Sequence, residues 1–481
     1  MTKPHGQLKS SMFYTMAIAA SLFVPIFTLP IFTRVLSKED FGILALSEIY
    51  AVFVAGVAFL GSSLAFDRNY FAYQDNKIKI AQLIYSILLF VFFNFFILLA
   101  ATFFWGDKLS LLMFRLPGKS QILTLDLCGA FFAQVFDLFM AFYRNRKEPI
   151  MYLKFSLLNC GIYLVLTLVF LLRFHWSVPG ILLAKFLAFL VVTMIIATRV
   201  HGHYPFSFSW QALRDSWKIS LPTTPRVFFS IFSTRIDRYM INILGTLGGV
   251  GVYSIGQKIG YLVFAFQNAL ENVFQPHTYK RMFDDPEGAK KELGEYLIPF
   301  FYVAAGFALL LSMFSKEVIK ILLSKTYVDV ADIVIIFSTY YVVLFFSKIA
   351  SYQLIYLKKT FLITVLLMVF YLINIVFNIF FIRWWGANGA AMATLTTGIL
   401  STGFAFFIAQ HYYAIHWPGK KIIAIFSVYF ISNLMVWSLA HSKIPYMTGF
   451  LIKIILFSIY VFLGLKFSLI SSFMALRKAN S

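Results

Sequence analysis

A chain of 481 residues that is 60% hydrophobic and 13% charged, with 58 phenylalanines, holds far more apolar surface than a soluble core needs and reads as a polytopic helical membrane protein. Its long apolar runs are continuous and do not alternate with period two, which excludes a transmembrane barrel. The net charge of +21 sits mainly in short loops between those runs, so membrane topology accounts for it and no nucleic-acid partner is inferred.

At the N-terminus Lys3 and Lys9 precede an apolar run at 11–32 that is too long for a cleavable signal core and is read as the first span. Five more spans follow in the first half, at 43–66, 81–105, 121–143, 153–172 and 179–198. The second half supplies 219–243, 250–276, 296–314, 330–350, 361–382 and 389–410, and two further spans lie at 422–440 and 450–472. Each of these fourteen is near the ~20 residues that a helix needs to cross a bilayer. With the N-terminus inside, the cytoplasmic segments hold 21 lysines and arginines against 11 in the opposite loops, which places both termini in the cytoplasm. The two cysteines, Cys128 and Cys160, fall inside apolar runs as free thiols, with neither metal nor disulfide spacing.

The linker His201–Lys218, HGHYPFSFSWQALRDSWK, has an amphipathic end and reads as an interfacial connection between two halves. Its histidines, His201 and His203, lack a cysteine or carboxylate to complete a metal site, and no metal is expected. A repeat relates the halves. Phe170–Gly180, FLLRFHWSVPG, matches Phe380–Gly389, FFIRWWGANG, and Val35–Gly42, VLSKEDFG, matches Ile243–Gly251, ILGTLGGVG, at offsets of 208–210 residues. Six spans separate the copies, and an even number preserves orientation, so the repeats are parallel rather than inverted. The expected organisation is a six-helix lobe at 1–205, a second at 206–418, and two additional helices at 419–481.

Charged groups inside spans are costly and mark function unless they snorkel. Lys154, Arg226, Glu271, Lys348 and Lys453 lie near span ends and need no functional role, and Lys466 sits on an additional helix. Lys185, Arg235 and Lys258 lie near the midplane, where a role in binding substrate is expected. Arg238 stands between headgroup anchor and ligand contact. Arg235 and Arg238 are i,i+3 neighbours on one helix side, whereas Arg226 points half a turn away unless Pro222 and Pro225 distort the helix entry. Among the acids, Glu48, Asp126, Asp137 and Asp237 are candidates for gating or ion coupling. Asp126 and Asp137 share a helix face and are expected to pair with cations on neighbouring spans, and Asp237 with a neighbouring basic residue. Adding the repeat offset to Glu48 lands on Gln257 and Lys258. Glu48 and Lys258 are either a gate pair across a cleft or pair separately within their own halves.

At these residues the sequence resembles O-antigen and other polysaccharide flippases (Wzx-type) of the multidrug/oligosaccharidyl-lipid/polysaccharide exporter superfamily. The segment LPIFTRVLSKEDFGILAL at Leu29–Leu46 carries the resemblance through Pro30, Thr33, Arg34 and Leu36 followed by Phe41–Gly42. Leu221–Pro222, Asp237–Arg238, Gly251–Tyr253 and Lys258 extend it into the second half. The resemblance implies a MATE-like, all-α fold of two lobes plus two helices in the bacterial cytoplasmic (inner) membrane. It also implies movement of an undecaprenyl-diphosphate-linked oligosaccharide from the cytoplasmic to the periplasmic leaflet by alternating access. Carried onto matching positions, it makes Arg34, Arg235, Arg238 and Lys258 candidates for contacting diphosphate or sugar.

The expected partners are therefore the lipid-linked oligosaccharide, membrane lipids and other polysaccharide-assembly membrane proteins. No cofactor is expected, and coupling to protons, sodium or membrane potential stays open. Two rival readings differ in chemistry. An extruder of organic cations needs a carboxylate-centred pocket, and here the deep cations are at least as prominent. A membrane-embedded glycosyltransferase or polymerase needs a large external loop, whereas the longest external loops, 106–120 and 315–329, have 15 residues. No GxxxxGK[ST] sequence is present, so nucleotide hydrolysis by that route is not expected.

Overall fold

The computed structural model describes residues 13, 14, 16, 17, 20, 27–441 and 445–480, without the side chains of 226, 440, 441 and 475–480. Among these residues there is no strand. In chain order the helices are α1 (described at 27–35), α2 (Lys38–Phe59), α3 (Ser62–Ala72), α4 (Lys77–Phe104), α5 (Gly106–Phe114) and α6 (Ser120–Asn145). Next come α7 (Pro149–Leu168, continued by a π turn at Val169–Arg173), α8 (Val178–His203) and α9 (Trp210–Leu244). The remainder are α10 (Leu247–Asp284), α11 (Pro286–Met313), α12 (Ser315–Leu322), α13 (Val330–Tyr356), α14 (Thr360–Tyr412), α15 (Gly419–His441), α16 (Tyr446–Lys466) and α17 (Leu469–Asn480).

Each predicted span is helical over most of its described residues. Among the described residues, ten helices are long and apolar enough to cross a membrane. α14 counts once among these, although Gly386, at φ 57° and ψ −130°, bends it into two helices that carry the predicted spans at 361–382 and 389–410. α9 and α10, which carry Arg235, Arg238 and Lys258, are outside the ten, whereas α8, which carries Lys185, is among them.

Two local expectations change. The amphipathic end of the linker at 201–218 is not separate from the next span: from Trp210 onward it forms the first turns of α9. Pro222 and Pro225 do not end the helix, since both lie within the continuous α9. Hydroxyls around the prolines bond to nearby carbonyls of the same helix, Thr223 to Ser220 O at 2.9 Å and Thr224 to Ser220 O at 2.8 Å. Such bonds help satisfy carbonyls near the missing proline N–H groups.

The repeat extends through the caps. Ser37 opens α2 in a capping box with Asp40, and Thr246, 209 residues later, accepts from Gly249 N to open α10. Asn76 caps α4 and Asp285 caps α11 at the same offset. Tyr204 and Tyr413, again 209 apart, are the buried residues that end α8 and α14. Lys147 and Lys358 both take the left-handed conformation at the turns that follow α6 and α13. The helix series α2, α4, α5, α6, α7, α8 thus recurs as α10, α11, α12, α13 and the two parts of α14.

By packing, the chain divides into Met1–Asn242 and Ile243–Ser481. Where the repeat puts the lobe boundary at 205/206, packing groups α9 up to Asn242 with the first unit. In the first unit α2, α6 and α8 pack together around a core that includes Phe95 stacked on Phe131 at 3.9 Å. In the second, α10, α13 and α14 occupy the equivalent places. The two copies differ on one face. The apolar window of α4 is only 22% buried and leaves Phe93, Phe96, Phe103 and Phe104 exposed, whereas that of its counterpart α11 is 67% buried. The additional helices α15, α16 and α17 pack on α11. There Tyr302 and Tyr460 stack at 4.7 Å, and each hydroxyl donates to the other residue's carbonyl.

The glycines that close the repeated aromatic turn are required by contact. A Cβ on Gly389 would stand 1.9 Å from Phe381 O, and one on Gly180 would stand 2.9 Å from Trp176 Cβ. Gly389→Ala is therefore expected to destabilise by about 2 kcal/mol or more, the range of overpacking against backbone. Gly180→Ala, which meets a side-chain atom instead, should cost less. Thermal unfolding of the two purified variants checks the order, and equal melting temperatures would contradict it.

Candidate functional site

Three helices of the first unit's core and α9 bring five charged residues into one cluster. Glu48 lies ten residues into α2, and Arg235 and Arg238 reach it from α9. Arg235 Nη2 is 3.7 Å from Glu48 Oε1 and Arg238 Nη1 is 3.9 Å from Glu48 Oε2, so each carboxylate oxygen faces a different guanidinium. The i,i+3 spacing of the arginines places both on this side, as the sequence predicts. At these separations the ion pairs are longer than direct hydrogen bonds. The side chains keep access, 36% for Glu48, 25% for Arg235 and 11% for Arg238, which makes this the reachable part of the cluster.

Beside it is a tighter pair. Asp126 on α6 is 1% exposed and accepts from Lys185 Nζ of α8 at 2.8 Å, with Ser47 Oγ of α2 donating to its second oxygen at 2.7 Å. Lys185 runs across Gly129, where any Cβ would touch its chain at 3.5 Å. Glu48 follows Ser47 directly and acts electrostatically on Lys185, as does Tyr163 of α7. Three cations thus converge with two carboxylates on helices that a soluble protein would bury among apolar side chains.

The repeat provides an internal control. At the offset of 209, Ser47 and Lys185 become Gly256 and Thr394, and the left-handed turns that close α6 and α13, 211 apart, align Asp126 with Phe337. The second copy folds with an apolar contact there: a Cβ on Gly256 would stand 2.4 Å from Ile333 Cγ2. The ion pair of the first unit is therefore not something this helix packing demands.

Other predicted residues lie elsewhere. Arg34 is exposed near the end of α1, and the ten residues from the start of α2 to Glu48 put it roughly 15 Å from the cluster along the helix axis. Asp137, eleven residues beyond Asp126 and about 16 Å farther along α6, has Arg144 and Tyr152 within electrostatic reach. Asp237 is buried at 8% exposure on α9, about 100° around the helix from Arg238. Lys258 is an exposed residue of α10, in the second unit. Glu48 pairs with Arg235 and Arg238 of α9, a helix that the sequence places in the second half and that packs with the first unit. The side chain of Arg226 lies outside the described residues.

The cations read as peripheral form ties. Lys348 meets Glu271 and Asn268, each at 2.5 Å, while Tyr352 donates to Glu271. Lys453 holds both oxygens of Glu317 at 2.8 Å and so fastens α16 to α12. His201 and His203 turn to different partners, Tyr85 Oη and Arg199 O. Among the described residues no group of three or more His, Cys, Asp or Glu is arranged as for a metal. The role of Ser47 had no signal in the sequence, because a serine inside an apolar run is unremarkable until its partner is known.

Comparison with known proteins points in one direction. A family described as polysaccharide biosynthesis protein matches residues 31–332. A search among curated proteins returns no match. Among solved structures, the lipid II flippase MurJ in an inward closed conformation is 14% identical with a TM-score of 0.66, over 94% of this chain and 98% of that one. An inward-facing multidrug resistance MATE family transporter of the MOP superfamily is 18% identical with a TM-score of 0.61, over 81% and 94%. A MOP superfamily transporter from Pyrococcus furiosus is 15% identical with a TM-score of 0.51, over 84% and 95%. At these identities the likeness is one of fold.

Proposed function

The chain belongs to the polysaccharide biosynthesis protein family, with the fold of MOP-superfamily transporters, and from that premise we propose that it is a flippase for an undecaprenyl-diphosphate-linked oligosaccharide. It would act by alternating access in the bacterial cytoplasmic membrane, moving its substrate from the cytoplasmic to the periplasmic leaflet, with both termini cytoplasmic. Other polysaccharide-assembly membrane proteins would supply and take up the glycan.

The observation that carries this reading is the long-range pairing of Glu48 with Arg235 and Arg238. Two unit charges about 4 Å apart attract by roughly 4 kcal/mol at an effective dielectric near 20, before desolvation is counted. A diphosphate offers more negative charge than one carboxylate, and its oxygens match the planar guanidinium fork. It can therefore displace Glu48, which returns when the headgroup leaves. Lys185 adds positive charge nearby, and Arg34 and Lys258 are proposed as further contacts at other depths. Coupling to protons, sodium or membrane potential is proposed to act through the acids Glu48, Asp126, Asp137 and Asp237, with no cofactor. An organic-cation exporter is less well supported, because the accessible carboxylate already faces two guanidiniums.

The test is reconstitution in liposomes containing a fluorescent undecaprenyl-diphosphate oligosaccharide in both leaflets, with a membrane-impermeant quencher outside. Protein-free vesicles should lose about half the signal, and vesicles with protein nearly all of it. Loss of half in both, together with uptake of a cationic dye by the protein alone, would replace the flippase reading with the extruder.

A further inference from the structure

A second cationic site lies away from this cluster, at the end of the first unit where α6 and α8 finish and α7 begins. A cavity of about 140 Å³ opens there, lined by Tyr143, Arg146, Glu148, Arg199, His203 and Tyr204 among others. That is the volume of a few water molecules at about 30 Å³ each. We propose that this cavity binds a phosphate group, presented by an anionic lipid headgroup or by a soluble phosphate, held between Arg146 and Arg199.

The arginines differ in their present bonding. Arg146 Nε is 2.7 Å from Glu148 Oε1, and Nη1 donates to Tyr204 Oη at 3.2 Å. Its guanidinium also lies over the rings of Phe142 and Tyr204, at 5.4 and 5.8 Å. This stacking fixes the plane of the fork, as a bidentate phosphate contact requires. Arg199 is exposed on the last turns of α8, and its carbonyl carries His203 Nδ1 at 3.0 Å. No carboxylate among the described residues forms an ion pair with its guanidinium. The cavity lies at the lysine- and arginine-rich end that the sequence assigns to the cytoplasm, the depth of the phosphates of anionic lipids.

A basic loop is ordinarily explained by topology alone, and the repeat separates the two explanations. The left-handed turns at Lys147 and Lys358 align Arg146 with Leu357, and the capping tyrosines Tyr204 and Tyr413 align Arg199 with Ile408. In the second unit that junction closes on an apolar cluster of Ala350, Leu354 and Ala409, with Ile408 packed against it. Of the lysines there, Lys359 is covered by the Tyr412 ring at 3.6 Å, and Lys290 lies over the Tyr413 ring at 5.5 Å and pairs with Glu287. The same helix junction is thus built once around aliphatic side chains and once around two arginines and a cavity.

The experiment uses the purified full-length protein and two probes: inorganic phosphate, followed by thermal stabilisation, and phosphatidylglycerol, counted by native mass spectrometry after delipidation and re-addition. Arg146→Leu with Arg199→Ile installs the residues that the second unit accommodates. It should weaken binding of the effective probe at least about tenfold, the loss expected when charge-assisted bonds are removed. Glu148→Gln removes the carboxylate that competes for Arg146 and should tighten binding several-fold, a gain that misfolding cannot imitate. Lys147→Ala changes a cation at the same end that does not line the cavity and should leave binding as it was. Phosphate binding without lipid retention identifies a soluble ligand, and the reverse identifies a headgroup. The proposal fails if neither probe binds, if Lys147→Ala weakens binding as much as the arginine pair, or if Glu148→Gln has no effect on a probe that does bind.

Discussion

Arg235→Ala is expected to reduce flipping at least a hundredfold while the protein inserts at normal abundance. A guanidinium that holds a diphosphate through two charge-assisted hydrogen bonds contributes on the order of 3 kcal/mol or more, and each 1.4 kcal/mol is a factor of ten. Arg235→Lys keeps the charge but loses the planar fork, so a partial recovery, to within about tenfold of the wild type, is expected. The structure also defines what a bland role would look like. Arg235 is 3.7 Å from Glu48, and the purely structural role is to neutralise that carboxylate. In that case Arg235→Ala leaves Glu48 with Arg238 alone of the two guanidiniums, and adding Glu48→Gln restores transport. If the guanidinium binds substrate, the double variant stays as inactive as Arg235→Ala alone. Protein quantity in isolated membranes, measured beside the liposome assay, separates loss of transport from loss of fold. Full flipping by Arg235→Ala at normal abundance would sink the assignment.

How far the sequence discloses this arrangement depends on the range of the interaction. Helix positions were legible because apolar run length is a local property, and the repeat was legible because its turns keep their own chemistry. The match between VLSKEDFG and ILGTLGGVG reflects two hydroxyl caps, Ser37 and Thr246, opening equivalent helices. The arginine pair on α9 was legible for the same reason, since i,i+3 spacing sets a common helix side. What the sequence did not disclose is pairing across distance. Lys185 meets Asp126 from 59 positions away, and Arg235 meets Glu48 from 187; no periodicity marks either. The repeat relates Glu48 to Lys258 by depth alone, because pseudo-symmetry predicts equal depth and says nothing of which side chains lie nearest. The burial of α11 was equally hidden. Its counterpart α4 is as apolar, and the packing of α15, α16 and α17 on α11 makes that helix interior while the window of α4 stays largely exposed.

Breaking the Asp126–Lys185 pair from either side should destabilise the protein, and replacing both residues together should not. Asp126 is 1% exposed, so Lys185→Met leaves a buried carboxylate with Ser47 as its remaining hydrogen-bond donor of the pair shown here. Removing one partner of a fully buried pair typically costs about 3–5 kcal/mol. Because 24% of the Lys185 side chain is accessible, solvent screening reduces this to about 2–3 kcal/mol. For a unit of this size that corresponds to a fall of roughly 5–10 °C in melting temperature. Asp126→Ile with Lys185→Thr instead exchanges both for neutral residues, as the repeat does at the aligned positions Phe337 and Thr394. Exchanging both members of a buried pair for well-packed neutral residues is often neutral, so the double variant should melt within a few degrees of the wild type. If it melts as low as Lys185→Met alone, the first unit depends on the pair for its packing, and the equivalence drawn from the repeat is wrong at this site. If it is stable and flips at the wild-type rate, Lys185 has no part in binding substrate. The expected result is a stable protein with impaired flipping, because the ion pair is retained in the unit that holds the arginines and absent from the unit that does not.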